Sequence, residues 1–361
     1  MSGKRNIGAS LKPASSLKAA RTGQPILRVD DLVVRFDTVE GLIHAVNGVS
    51  FSLQPGEVLG VVGESGCGKS VTMMSLIGLI PQPPGQIVGG QALFAADDGP
   101  VDLLALDRKD LRALRGGQIG FIFQDPISSL NPTMPIGRQI AESMVEHLHL
   151  NESEAQRHTI ALLRDVGIAD AENRYHSYPH EFSGGMRQRV MIAIAVACQP
   201  KLVVADEPTT ALDVTVQAQI LELVRALQQE MGMAVIWISH DLGVVAGLAD
   251  RIAVMYGGTI VESGPADDLF ERPRHPYTAG LLGAMPSVAD DAGAEDRPLV
   301  SIEGYPPDLL RELVCCPFAN RCSYAVERCW QERPPLLSAG RQHELACFVD
   351  LATVGSSGDV R

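Results

Sequence analysis

The stretch "VLGVVGESGCGKS" (58–70) decides how the chain is read. It opens with a continuous apolar run that stops at glycine, the pattern of a parallel strand buried on both faces. Its last eight residues, GESGCGKS (63–70), fit the spacing G-x-x-x-x-G-K-[ST], and a helix is expected from near Lys69 to about Leu79. Strand, glycine loop and helix in this order make a cradle for phosphate. Backbone N–H groups of Gly63, Glu64, Ser65, Gly66, Cys67 and Gly68, and on to Val71, can turn inward because the glycines leave no side chain in the way. The helix N-terminus adds its dipole. Lys69 is placed to reach the β- and γ-phosphates of a nucleotide, and the Ser70 hydroxyl to ligate Mg²⁺. Cys67 lies inside the loop, so packing around the nucleotide accounts for it without redox chemistry. A glycine-rich turn matching by chance would not bring its own buried strand and helix.

Before this stretch, "PILRVDDLVVRF" (25–36) alternates as a strand does, and "GLIHAVNGVSFSLQPGE" (41–57) reads as a second strand ending in a turn at Pro55-Gly56. "PQPPGQIVGG" breaks the helix after the loop. "QIGFIFQD" (118–125) is another strand. From Pro135 to Gly167 the periodicity turns helical, with a Ser-x-x-Gln capping box expected at the start of "SEAQRHTIALLRDVG", and a further helix covers roughly 185–198. Strands at "KLVVAD" (201–206), "MAVIWIS" (233–239) and "RIAVMYGG" (251–258) alternate with helices near 214–230 and 242–248. Such alternation implies a mostly parallel sheet flanked by helices, with 135–198 as a helical insertion.

The run "LVVADE" (202–207) buries a strand and sets Asp206 and Glu207 at its carboxyl end, where ligands collect in open α/β sheets. Asp206 is expected to hold Mg²⁺ through its water shell and Glu207 to polarise an attacking water. About twenty residues earlier, "FSGGMRQR" (182–189) opens a second helix. Ser183 can cap it, and the bare backbone of Gly184 and Gly185 can approach an anion. A natural user of this second helix start is a nucleotide held by another subunit.

The chain has 361 residues, is 45% hydrophobic and carries a formal charge of −13 with a pI near 5.1. Two or three domains are expected from that length. The acidity argues against nucleic acid as a partner, which needs a basic face. No stretch reaches the roughly 18 apolar residues of a membrane-spanning helix. The basic, Ser/Ala-rich start (1–24) lacks an apolar signal core and reads as a disordered arm. Without such a signal a reducing compartment is expected, and stable disulfides are not. "SVADDAGAEDRP" (287–298) reads as a linker, leaving a cysteine-bearing tail at 299–361.

These motifs, in this order, resemble the ATP-binding subunit of an ABC transporter, over about residues 26–285 and into the tail. The resemblance implies a P-loop NTPase cassette of α/β class: a mostly parallel sheet, an antiparallel β subdomain and a helical subdomain (135–198) within 25–286, followed by a small Cys-rich extension. It makes Phe36 the aromatic that stacks on adenine, 63–70 the Walker A loop and Gln124 in "FQDP" the Q-loop residue that senses Mg²⁺ and γ-phosphate. "FSGGMRQR" becomes the family signature, "VVADEP" Walker B, "ALD" (211–213) the D-loop with Asp213, and His240 in "ISHD" the switch histidine on the γ-phosphate. It further implies ATP and Mg²⁺ as ligands and a second homologous ATPase subunit closing head to tail. Two transmembrane permease subunits and an extracytoplasmic solute-binding protein complete the implied complex, which places the chain at the cytoplasmic face of a bacterial inner membrane.

"QDPISSLNPTMPIGRQI" (124–140) and "HPYTAGLLGAMP" (275–286) resemble the peptide/nickel importer branch, which implies uptake of di- or oligopeptides. Two departures are Met186, where the generic signature has Gln, and Val71, where Thr is frequent. The alternative is a non-transport ABC ATPase with a redox- or metal-sensing tail. The tail, "IEGYPPDL" (302–309) followed by Cys315, Cys316, Cys322, Cys329 and Cys347, resembles that branch's C-terminal extension. Four thiolates suit a [4Fe–4S] cluster or tetrahedral zinc, and reduced structural thiols are the third reading. The absence of a Cys-x₂-Cys knuckle favours the cluster. The family spacing selects Cys316, Cys322, Cys329 and Cys347 as its ligands and leaves Cys315 out. Cys198, in an apolar helix, reads as core.

Overall fold

The computed structural model describes residues 23–210, 212–285, 302–340 and 342–354. Nearly all of the expected arm (1–24) and all of the expected linker (287–298) lie outside them. Strands β1 (Leu27–Thr38) and β2 (Gly41–Leu53) precede β3 (Val58–Val62), every residue of which is buried. Helix α1 (Lys69–Leu76) stops three residues short of the expected end. Gly78 takes a left-handed φ of +59°, and the Leu79 N–H closes on the Met74 carbonyl at 2.8 Å.

Strands β4 (Gly85–Ala96) and β5 (Gly99–Asp102) and helix α2 (Arg108–Leu114) follow, then β6 (Ile119–Ile122) and α3 (Pro126–Ser129). The helical stretch holds α4 (Ile136–Leu148), α5 (Glu152–Asp165), α6 (Ala171–Arg174) and α7 (Gly184–Val196). The capping box of α5 is not the expected Ser-x-x-Gln. Asn151 caps the Glu154 N–H and Glu154 reaches back to the Asn151 N–H, starting the helix one residue before Ser153. Asn is at least as good an N-cap as Ser.

The remaining elements are β7 (Leu202–Asp206), α8 (Val214–Met231), β8 (Ala234–Ser239), α9 (Leu242–Ala246), β9 (Arg251–Tyr256) and β10 (Thr259–Pro265). After them come α10 (Ala266–Glu271), α11 (Pro276–Gly283), β11 (Leu337–Gly340), β12 (His343–Leu345) and α12 (Leu351–Val354).

The chain forms two compact units. The first gathers residues up to Arg28, Ser52–Val58 and Leu93–Ile238. In it β6, β7 and β8 run parallel, in register Ile122↔Ala205 and Asp206↔Ile238, so the ends of β6 and β7 deliver Gln124, Asp206 and Glu207 to one edge. Helix α7 lies so close to β6 that a Cβ on Gly120 would stand 2.2 Å from the Ala195 carbonyl oxygen.

The second unit gathers Val29–Phe51, Leu59–Ala92 and the described residues from Ser239 on. Here β3 pairs parallel with β9 (Leu59↔Arg251 to Val62↔Val254), and β9 turns into β10 as an antiparallel hairpin. The turn residues Gly257 and Gly258 have φ of +57° and +74°, the conformation of a two-residue hairpin that only glycine adopts freely. The tail continues this sheet: β12 pairs antiparallel with β10, and β11 with β12. The expectation of a mostly parallel sheet therefore holds for β6–β8 and for β3–β9, while the β10–β12–β11 extension is antiparallel.

Glu262, fully buried on β10, is the polar hub of that extension. It accepts from the Arg274 N–H (2.8 Å) and the His275 N–H (3.0 Å), and pairs with His343 Nε2 at 2.8 Å. Burial pushes its carboxyl up, but the bonds from His343 and the two amides outweigh burial and hold it below the ordinary glutamate range.

Candidate functional site

The phosphate loop belongs wholly to the second unit. Gly63 has φ +152°, and a Cβ there would meet the Met255 carbonyl oxygen at 2.2 Å and Cys67 Sγ at 2.8 Å. Gly68, at φ +99°, caps α1 under the Ala45 carbonyl, which a Cβ would meet at 2.6 Å. Both glycines are thus required by backbone conformation and by space. The loop is pinned by the Gly258 N–H to the Cys67 carbonyl (3.0 Å) and the Cys67 N–H to the Glu64 carbonyl (3.3 Å).

Lys69 is buried at 4% exposure, and its Nζ donates to the carbonyls of Gly63 (2.7 Å) and Glu64 (3.0 Å). The ammonium is therefore held by the loop's own carbonyls, at the start of α1. Burial raises the Cys67 thiol against the opposing pull of Lys69, so Cys67 stays a protonated packing group. In the same unit Phe36 packs its ring edge where a Cβ on Gly85 would be 2.9 Å away. His240 is exposed beyond β8, in a turn fixed by Ser239 Oγ accepting from the Asp241 N–H (2.9 Å) and Asp241 capping α9.

The first unit brings together residues far apart in sequence. Gln124 Nε2 donates to Glu207 Oε2 at 3.3 Å, and Thr210 Oγ1 donates to the same oxygen at 3.0 Å. Glu207 sits at φ +45°, unusual for a side chain of this kind. Such strain persists where the surroundings fix it, often at functional positions. Asp206, 2% exposed, ends the buried run of β7. Ser183 caps α7 by accepting from the Met186 N–H at 3.3 Å, and Asp213 caps α8 by accepting from the Val216 N–H at 3.0 Å. Gly184 faces open space. A Cβ on Gly185 would meet Val216 Cγ1 at 2.8 Å, so this glycine also lets α8 pack against α7.

In the tail Cys316 and Cys329 are buried, and the Cys316 N–H bonds to the Cys329 carbonyl at 3.0 Å. Burial first, then the neighbouring Cys329 and Cys322, push the Cys316 thiol up to about 11. Burial, with Cys316, Cys322 and Cys329 adding to it, pushes Cys347 up to about 12. Among the described residues no three His, Cys, Asp or Glu side chains converge as ligands of a single ion. Cys198 is core, raised to about 11 by burial.

Sequence reasoning missed Arg321, whose guanidinium bonds both carboxylate oxygens of Glu64 in the phosphate loop, and Tyr277, whose hydroxyl accepts from the Glu64 N–H at 3.0 Å. "HPYTAG" was a visible signal for Tyr277; no spacing rule marks Arg321.

Comparison with known proteins gives the geometry its setting. A family profile described as ABC transporter matches residues 46–210, and one described as oligopeptide/dipeptide transporter, C-terminal region, matches 261–329. An oligopeptide transport ATP-binding protein of Bacillus subtilis is 49% identical over 318 residues, 88% of this chain and 87% of that protein. The chain belongs to this family of ABC transporter ATP-binding proteins. A dipeptide transport ATP-binding protein of the same organism is 46% identical over 90% of this chain and 95% of its own length.

Among solved structures, a dimeric ATP-binding cassette captured after hydrolysis with ADP and phosphate aligns at TM-score 0.58 with 26% identity. The match covers 66% of this chain and 98% of that one. A cassette from Clostridium perfringens, part of an ABC transporter complex, aligns at 0.56 with 29% identity, over 69% of this chain and 91% of that one. The cassette fold and an ATPase activity coupled to transport follow from membership of the family. No helix among the described residues is long and apolar enough to cross a membrane.

Proposed function

We propose that this chain hydrolyses ATP to drive peptide import through partner membrane subunits, working from the cytoplasmic face of the inner membrane. The observation that carries the reading is Glu207. It stands at the end of a buried parallel strand in a left-handed backbone, with one carboxylate oxygen held by Gln124 and Thr210. A carboxylate so fixed is suited to orient a water for attack on a phosphoryl group.

Lys69 and the loop amides stabilise the charge that develops on the transferred phosphoryl, and His240 holds the γ-phosphate. Phe36 stacks on adenine. Oxygen donors of the kind at Ser70, Gln124 and Asp206 fit Mg²⁺, which when bound neutralises phosphate charge. Ser183, Gly184, Gly185 and Asp213 serve the nucleotide of a second ATPase subunit, most simply a homologue. The names of the relatives support peptide as the cargo, with two permease subunits and a solute-binding protein completing the importer.

Cys316, Cys322, Cys329 and Cys347 are the residues that would hold a [4Fe–4S] cluster. Four cysteine thiolates, two buried and two half-buried, are the donor set such a cluster takes. The cluster would supply a covalent clip between the two arms of the tail. Anaerobic purification with iron and sulfide analysis tests this, and an iron-free protein refutes it.

The test of the main reading is Glu207→Gln in the assembled transporter. ATP turnover should fall by about 10²–10³-fold while ATP binding persists. Turnover at the wild-type rate would remove Glu207 from its role. Uptake of labelled di- and oligopeptides into vesicles, set against a nickel chelate, identifies the cargo.

A further inference from the structure

Glu64 is a puzzle in the phosphate loop. The spacing rule leaves this position open, yet the chain places a carboxylate on a residue whose own amide belongs to a phosphate cradle. An uncompensated negative charge there opposes a polyphosphate. The compensation comes from the tail. Arg321 Nη1 bonds Glu64 Oε2 at 2.8 Å and Nη2 bonds Oε1 at 3.0 Å, a two-pronged pairing that fixes geometry as well as charge.

Arg321 is built for this. Its side chain is 5% exposed, against 26% for Glu64. Its other donors are also committed: Nη1 to the Tyr256 hydroxyl (3.2 Å), Nη2 to the Ile302 carbonyl (3.0 Å) and Nε to the Glu303 carbonyl (2.9 Å). The guanidinium carbon lies 5.8 Å from the centre of the Tyr256 ring.

The contact reaches the reacting end of the loop. The Glu64 carbonyl accepts from Lys69 Nζ and its N–H donates to Tyr277, so a shift of Glu64 is felt at the phosphate-binding lysine. The tail also walls the loop. Pro306, Pro307 and Leu309 line a crevice with Glu64, Ser65 and Gly66, and the His44 N–H anchors the Leu309 carbonyl at 2.8 Å.

We infer that Arg321 is a positioning residue for nucleotide binding: it is the counter-charge that keeps the Glu64 carboxylate turned away from the phosphates, so the tail sets the ATP affinity of the loop. The inference rests on the reading of residues 63–70 as an ATP site. Arg321 lies directly before Cys322, inside the turn closed by the Cys316–Cys329 backbone bond, so the same cysteine loop that shapes the tail presents the guanidinium.

The experiment is a double-mutant cycle on the full chain, read as the Kd for a fluorescent ATP analogue, with Lys69→Ala as the reference for a disabled loop. Arg321→Ala should weaken binding about tenfold or more, because it strands a charge at the site. Glu64→Gln, which removes the side-chain charge and keeps the loop amide, should bind more tightly than R321A, and R321A/E64Q should return to the E64Q value. Arg321→Lys, which keeps the charge and drops the second prong, carries the test if R321A fails to fold, and should bind between wild type and K69A.

R321A/E64Q binding as weakly as R321A would overturn the inference, because Arg321 would then act independently of the carboxylate. So would R321A or R321K binding as tightly as wild type while K69A binds weakly. A wild-type chain binding no better than K69A would overturn the ATP reading of the loop and the inference together.

Discussion

His275 should make the protein acid-labile, and its surroundings give the size of the effect. Its Nδ1 accepts from the Tyr277 N–H at 3.0 Å and so caps α11; protonating that nitrogen removes the cap's acceptor. The ring is 1% exposed. Burial pulls its pKa down from 6.5 to about 4, against the opposing influence of Glu262 and of a bond to the Ala346 backbone. The folded state thus refuses a proton that the unfolded chain accepts between those two values.

Where the unfolded chain binds more protons, stability rises with pH. At about 1.4 kcal/mol per pH unit, about 3 kcal/mol is therefore lost as pH falls from near 6.5 to near 4. With a urea slope of about 3 kcal/mol per molar, the unfolding midpoint should drop by about 1 M across the window. The measurement is urea unfolding by circular dichroism from pH 7.5 to 4.5, on wild type and His275→Asn. Asn keeps a capping oxygen and does not titrate, so the variant should lose about 1–2 kcal/mol at neutral pH and most of the acid slope.

Asp165, raised to about 6 by burial and then by Glu230, acts with the opposite sign, but it is common to both proteins and cancels in the comparison. The Glu262 contribution begins to be lost only near the ordinary glutamate value, at the foot of the window, and it too is common to both proteins. Equal acid slopes in the two proteins would refute the argument.

Substitutions at Gly185, Gly120 and Glu262 probe the scaffold. Gly185→Ala brings a Cβ within 2.8 Å of a Val216 methyl and should cost about 1–3 kcal/mol in thermal or urea unfolding, with Val216→Ala restoring most of it. Gly120→Ala presses on the Ala195 backbone oxygen instead, so it should destabilise at least as much, and trimming a neighbouring side chain should not rescue it. Glu262→Ala strips the acceptor from two backbone amides and His343 and should cost about 3–5 kcal/mol, while Glu262→Gln, which keeps an amide oxygen there, should cost less by the same urea measurement.

The phosphate loop and the strand ends were legible because their information is local. A buried apolar run, a glycine spacing and an acidic pair each fit within a dozen residues. Gln124 and Glu207 were legible singly; that they touch across 83 residues follows only from parallel β6 and β7 lying side by side. Strand β10 was within reach of the sequence: Gly257-Gly258 between apolar runs is a hairpin signal at the end of the strand "RIAVMYGG". Strand β4 was hidden because Gly89 and Gly90 interrupt its alternation. The Arg321–Glu64 contact spans 257 residues and joins two stretches whose local patterns say nothing of each other. Tertiary packing alone creates it.

The pairing of β10 with β12 sets an order of events at the ribosome. Glu262 emerges 81 residues before His343. At about 5–20 residues per second, the β10 edge waits on the order of 4–16 s with its backbone unpaired on that side and its carboxylate lacking the imidazole. For that interval the nascent chain offers a sticky strand to its neighbours. Until residues 343–345 arrive to pair with it, that edge stays open to association with other chains.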